Sequence, residues 1–206
     1  MSDKKAAIFG GSFSPVHIGH IKSAKAYLAA SGADKITVIP AKCPPHKSLD
    51  SGASDEDRIN MLNIAFSSDT ELCSRYEISD FELSRDSVSY TIDTVDYFIS
   101  QGYTDISLLI GTDMLLTFDS WRGYKELLSK VTLYYTDRYG KEEKAKCQIK
   151  ADELRQKYNA RIVAIDIPVF EASSSEIREL IRNGQSTDGI LSDKVREYID
   201  EKGLYR

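Results

Sequence analysis

The sequence predicts an α/β fold in which a parallel sheet is wound on both faces by helices. Two observations carry that expectation. Short apolar runs alternate along the chain with longer segments of helical periodicity, and strands separated by helices pair in parallel through crossovers. The residues that interrupt the pattern, Gly10, Pro40, Gly111 and Pro168, fall at the carboxyl ends of the apolar runs. In a doubly wound sheet those ends hold the ligand.

Taken in order, KKAAIFG is a buried strand that runs into a Gly10-Gly11 turn. IGHIKSAKAYLAASG follows, with Ile18, Ile21, Ala24, Tyr27 and Leu28 at helical spacing and a stop at Gly32. ITVIP is a second strand, and the irregular AKCPPHKSLDSG comes next. Ser54 opens a helix through SDEDRINMLNIAF, with Asp57 at its third position in the manner of a capping box. YEISDFEL alternates apolar and polar residues, which predicts a half-exposed strand from Tyr76 to Leu83. A helix starts near Thr91 and stops at Gly102, and DISLLIG, ending at Gly111, is the most clearly buried strand. WRGYKELLSK predicts a helix from Trp121. VTLYYTD is a strand, Lys141 to Tyr158 a long charged helix, and ARIVAIDIP a strand. SSSEIRELIRNG and SDKVREYIDEKG are two closing helices. No repeat or linker appears, so the 206 residues are expected to form one domain with its own core.

Composition narrows the function classes. A net charge of −5 argues against a general nucleic-acid or anionic-membrane binder. Three scattered cysteines suggest neither a disulfide framework nor a zinc ribbon. The N-terminal MSDKKAAIFGG lacks the apolar stretch of a signal peptide, and no segment is long enough to span a bilayer. The expectation is a cytoplasmic protein.

Two of the three histidines, His17 and His20, stand three residues apart in FGGSFSPVHIGH. The stretch is a strand end, a glycine turn and a helix entry, where unpaired backbone amides attract anions. Two imidazoles on one face there can hydrogen-bond phosphate oxygens and neutralise charge as it builds. A zinc site needs further ligands, yet His46 lies in a Pro-Pro loop. Histidines that merely cap a loop are the plainer alternative. Neither GxxxxGK[ST] nor GxGxxG is present, which removes the P-loop and dinucleotide-dehydrogenase readings.

GGSFSPVHIGH resembles the GxFxPxHxGH signature of the HxGH nucleotidyltransferase superfamily, with matches at Gly11, Phe13, Pro15, His17, Gly19 and His20. Ser173-Ser174-Ser175-Glu176-Ile177-Arg178 resembles that superfamily's second signature, SSTxIR. The stretches PPHK (44–47), DRINML (57–62), SYTIDT (89–94), LIGTDM (109–114), the Trp121 segment and DIP (166–168) narrow the resemblance to the bacterial nicotinate mononucleotide adenylyltransferases. The departures are Ser175 for threonine, Ala172 for an aliphatic residue, Arg138-Tyr139-Gly140 for RPG, Ser192 for proline, and Arg122 where relatives often carry tyrosine.

The resemblance implies a Rossmann-like nucleotidyltransferase domain over residues 1–206, with residues 173–206 a C-terminal helical part that completes the ATP site. It implies transfer of the adenylyl group of ATP to nicotinate mononucleotide in NAD biosynthesis. His17, His20, Lys47 and Arg178 would be catalytic. ATP would be held by Gly10, Gly11, Ser12, Phe13, His17, His20, Gly111, Asp113, Ser174, Ser175 and Arg178. The mononucleotide would meet Lys47, Ser89, Tyr90, Thr91, Trp121 and Arg122. Mg²⁺ would ride on the triphosphate with few protein ligands, and no metal-binding residue is assigned. Partners beyond the two nucleotides, nucleic acid and membrane included, are not expected, and homo-oligomerisation stays open. The alternatives are adenylyl transfer to nicotinamide mononucleotide or phosphopantetheine, cytidylyl transfer, and a non-catalytic nucleotide sensor.

Overall fold

The structure is a computed structural model that describes residues 4–44, 52–86, 88–137, 141–168, 170 and 172–206. Six strands form one sheet among them: β1 (Lys5–Gly11), β2 (Ile36–Pro40), β3 (Tyr76–Ile78), β4 (Asp105–Gly111), β5 (Val131–Asp137) and β6 (Arg161–Asp166). Their order is β3-β2-β1-β4-β5-β6, and every neighbouring pair is parallel. The helices are α1 (Ile18–Ser31), α2 (Asp55–Ser67), α3 (Thr91–Ser100), α4 (Thr112–Leu116), α5 (Tyr124–Lys130), α6 (Lys141–Tyr158), α7 (Ser174–Arg182) and α8 (Asp193–Lys202). The chain winds from β1 outward to β3, then returns to the other side of β1 at β4. Connections therefore diverge from β1 and β4, and a crevice opens at their carboxyl ends.

Successive residues of the central strands are buried on opposite faces of the sheet, which is why these strands read as continuous apolar runs. Ala7 and Phe9 of β1, with Val38, Leu109 and Ile165, pack against α1, α2, α7 and α8 through residues such as Tyr27, Met61, Ile177 and Ile199. Ala6 and Ile8, with Ile39, Leu108 and Leu133, pack on the opposite face against Val95, Leu127 and Leu154 of α3, α5 and α6. Each such side chain contributes about 1.5–3 kcal/mol when fully buried. The C-terminal helices thus share a core with β1, which brings residues 173–206 against the glycine turn.

Local signals set the ends of several helices. The Ser54 Oγ accepts the Asp57 N–H at 3.0 Å, and Asp57 Oδ2 accepts the Ser54 N–H at 3.0 Å, closing the expected capping box on α2. Gly32 ends α1 at φ 63°, a conformation most side chains avoid.

Four expectations need correction. The third strand stops at Ile78, because the chain turns there and Phe81 stacks on Tyr97 of α3 at 4.1 Å. Its alternating pattern reflects that docking, not a longer ladder. Gly123, at φ 69°, delays α5 to Tyr124 and leaves Trp121 and Arg122 in a turn after the 3-10 segment Phe118–Ser120. A short helix, α4, follows Gly111 without a break, where no helix is expected. β6 ends at Asp166, two residues before Pro168.

Candidate active site

A cleft of about 1160 Å³ runs along the carboxyl ends of β1 and β4. Two groups of residues line it. The first is Gly10, Gly11, Ser12, Ser14, His17 and His20 from the β1–α1 connection, with Ser173, Ser174, Ser175 and Arg178 from the start of α7. The second is Ser89, Tyr90, Thr91, Trp121 and Arg122, with Glu82 and Thr94. Gly111 and Asp113 belong to the same cleft. Lys47 and His46 lie outside the described residues.

His17 is the N-cap of α1 and His20 its third residue. The His17 N–H donates to His20 Nδ1 at 3.1 Å, so the neutral His20 ring carries its proton on Nε2. The two rings lie 3.7 Å apart between centroids, and Phe170 stacks on His17 at 5.1 Å and 14°. Only glycine fits at position 19, since a Cβ there would come within 2.5 Å of Phe170 and 3.0 Å of His17. The bare amides of α1 are a weaker anion site than expected. The Ile18 N–H donates to Ile190 O at 3.0 Å and the His20 N–H to His17 O at 2.9 Å.

Phe13 is not among the residues that line the cleft. Its ring is fully buried, 5.2 Å from Phe9 and 5.0 Å from His20, and holds a non-glycine φ of 47°. Strain of this kind persists only where packing over-determines it. The turn is also braced from the far end of the chain. Arg178 Nη1 donates to Ser14 O at 2.7 Å, Ser174 Oγ donates to Pro15 O at 2.9 Å, and Tyr205 Oη and Ser14 Oγ share a hydrogen bond of 3.0 Å. A reciprocal cap between Ser173 and Glu176 opens α7, leaving Ser174 and Ser175 at the cleft.

In the second group, Ser89 Oγ accepts the N–H groups of Lys42 at 3.1 Å and Cys43 at 3.3 Å, tying the start of α3 to the end of β2. The Tyr90 N–H donates to Val88 O at 3.1 Å, so that donor is engaged within the turn. Arg122 lies over the Tyr90 ring at 4.6 Å, and Phe118 packs on Trp121 at 5.0 Å. Trp121 Nε1 is buried without a hydrogen-bond partner among the described residues. Any Cβ at position 111 would sit 2.6 Å from Asp113 Oδ1, so Gly111 lets that carboxylate fold back over the end of β4. Buried Glu82 accepts from Thr94 Oγ1 at 2.6 Å. Burial raises its carboxyl pKa, and the Thr94 hydrogen bond only partly offsets this. Sequence reasoning missed Glu82, because nothing in FELSR marks a glutamate that folds inward.

Known proteins resemble this chain in sequence and in fold. Residues 8–180 match the cytidylyltransferase-like family. The chain is 37% identical over 202 residues to a Caldicellulosiruptor saccharolyticus protein named "Probable nicotinate-nucleotide adenylyltransferase", covering 98% of this chain and 99% of that one. A Clostridium tetani protein of the same name is 32% identical over 204 residues, covering 98% and 100%. The solved structure of Plasmodium falciparum nicotinic acid mononucleotide adenylyltransferase complexed with NaAD superposes with a TM-score of 0.74. At 21% identity it covers 98% of this chain and 97% of that chain, a likeness of fold.

Proposed function

The chain belongs to the nicotinate-nucleotide adenylyltransferases of the cytidylyltransferase-like family, and we propose how its cleft carries out their reaction in NAD biosynthesis. The 5′-phosphate of nicotinate mononucleotide attacks the α-phosphorus of ATP. A new P–O bond forms as the bond to the β-phosphate oxygen breaks, releasing pyrophosphate and leaving nicotinate adenine dinucleotide. The attacking phosphate is already an anion, so no general base is needed. The protein has to align the two nucleotides and stabilise charge on the phosphoryl oxygens.

One observation carries this reading. Histidines from residues 17–20 and the Ser174, Ser175 and Arg178 cluster converge on the same turn, and both face the cleft that also holds Tyr90, Thr91 and Trp121. His20, with its proton on Nε2, and His17 donate to ATP phosphate oxygens. The Ser12 and Phe13 amides lie beside them, and the start of α7 meets the β and γ phosphates. Asp113 accepts from a ribose hydroxyl. The first-turn amides of α3 from Thr91 onward receive the nicotinate carboxylate, Trp121 stacks on the pyridine ring, and Arg122 adds positive charge nearby. Lys47 is assigned to the phosphates. Residues 173–206 complete the ATP site within one nucleotidyltransferase domain.

No group of three or more His, Cys, Asp or Glu able to hold a metal occurs among the described residues, and the carboxylates at the cleft are Glu82 and Asp113. That donor set suits hydrated Mg²⁺ arriving as part of the ATP substrate, where it neutralises triphosphate charge. Among the described residues no helix is long and apolar enough to cross a membrane. The cytoplasmic assignment rests on the three cysteines, which form no disulfide among the described residues.

The test is pyrophosphate release from ATP and Mg²⁺ with nicotinate mononucleotide, nicotinamide mononucleotide or phosphopantetheine as acceptor. Release with the nicotinate compound is expected. ATP binding without turnover on any acceptor would leave the sensor reading standing.

A further inference from the structure

Arg58 of α2 is the largest fully buried side chain among the described residues, at 1% exposure, and no role described above uses it. A buried guanidinium is costly unless its donors are satisfied. Its Nη1 donates to Ser12 O at 2.9 Å and to Ala41 O at 2.8 Å, and its Nη2 donates to Asp55 Oδ1 at 2.6 Å. Asp55 also accepts from Lys42 Nζ at 2.7 Å. The two carbonyls belong to the residues that follow β1 and β2, and the Ala41 N–H donates to Gly11 O at 2.9 Å between them.

In a trans peptide the C=O and the N–H of one unit point in opposite directions. The Ser12 carbonyl is held on Arg58, so the Phe13 N–H is turned away from it. Ser12 and Ser14, on either side of Phe13, line the cleft and Arg58 does not. The Ala41 carbonyl is held in the same way, and the Lys42 N–H on its far side donates to Ser89 Oγ at 3.1 Å. One nitrogen therefore orients two peptide planes, one in the first group of cleft residues and one that is hydrogen-bonded to Ser89 of the second.

We propose that Arg58 is a positioning residue that keeps the two substrate-binding groups in register, aiming the Phe13 amide at the reacting phosphates and tying the Ser89 turn to the same frame. The inference rests on the adenylyl-transfer reading above. Arg58 touches neither nucleotide, so its loss disturbs alignment more than binding. Lysine is no substitute, because one ammonium cannot reproduce a planar fork shared among two carbonyls and a carboxylate.

The experiment compares kcat and KM for ATP and nicotinate mononucleotide in the wild type, Arg58→Lys, Arg58→Met and Asp55→Asn, with circular dichroism and Tm alongside. Folded Arg58 variants should lose about 10- to 100-fold in kcat, the scale of a misplacement near 1 Å, with KM for either substrate within about threefold of the wild type. Asp55→Asn, on a half-exposed residue, removes the charge that anchors Nη2 and pairs with Lys42, leaves the two Nη1 bonds in place, and should lower kcat by about three- to tenfold by the same alignment effect. A folded Arg58→Lys enzyme that is less stable but keeps wild-type kcat overturns the proposal. If both Arg58 variants fail to fold, unchanged kcat in Asp55→Asn does the same. An inactive wild type would instead remove the functional reading on which the inference rests.

Discussion

The two groups of residues that face the cleft are held by different physics. The β1–α1 turn is fixed by directional hydrogen bonds to its backbone. Arg58 holds Ser12 O, Arg178 holds Ser14 O, Ser174 holds Pro15 O, and the ring of Phe13 is packed between Phe9 and His20. The group around α3 and Trp121 leans more on rings and packing: Arg122 over Tyr90, Phe118 against Trp121, and a short Glu82–Thr94 hydrogen bond behind them. Charge builds and disperses on phosphate oxygens, and stabilising it needs donors aimed in advance, because their reorientation would consume the gain. A pyridine ring is a fixed, flat shape, which packing recognises well. The contrast predicts that disturbing the first group costs rate, whereas disturbing the second changes which nucleotide is accepted.

The largest expected effect tests the first half of that contrast. His17→Ala or His20→Ala should lower kcat by about 10²–10³, the scale for losing one transition-state donor, with the circular dichroism spectrum unchanged. Near-full turnover in either variant would show that the imidazoles only cap the helix. The second half is sharpened by comparing kcat/KM for the acid and the amide mononucleotides. The amide lacks a charge-assisted bond to the α3 amides and presents donors to donors, a difference of about 1.5–3 kcal/mol, or roughly ten- to hundredfold. Equal values would break the specificity assignment and leave adenylyl transfer in place.

A smaller effect separates bracing from chemistry at α7. Ser173→Ala removes the cap that pairs with Glu176 and should cost about 1 kcal/mol of stability, read as a lower Tm. A far larger fall in kcat than in Tm would mean that this helix start is aimed at phosphate more tightly than a cap alone requires. The smallest effect concerns Glu82. Burial raises its folded pKa, and the hydrogen bonds from Thr94 and Ser89 only partly oppose that. The folded state then binds the proton more strongly than the unfolded state. Stability is highest below the ordinary carboxylate range, falls as pH rises from there through the raised value, and levels above it. Glu82→Gln should flatten that decline in a Tm-against-pH series. Parallel curves for the two proteins would make Glu82 an ordinary carboxylate.

Much of this molecule could be read from its residues in order. Strands, helix starts and stops depend on sterics and hydrogen bonds within a few positions, so Ser54 with Asp57, Gly32, and the long helix from Lys141 were visible as local patterns. The His17–His20 pair was legible for the same reason: its parts lie within four residues and its geometry follows from the start of one helix. Tertiary structure alone decided which buried groups found one another. Glu82 reads as a surface residue of a strand, yet the chain turns after Ile78 and folds it inward onto Thr94. Arg58 reads as one charge among several on α2, and only the adjacency of β1 and β2 brings Ser12 O and Ala41 O within reach of one nitrogen. Tyr205 meets Ser14 across 191 residues. Periodicity records which side of an element is buried, but a buried polar group takes the partner that packing places beside it, and that choice is settled only when the sheet order brings distant strands together.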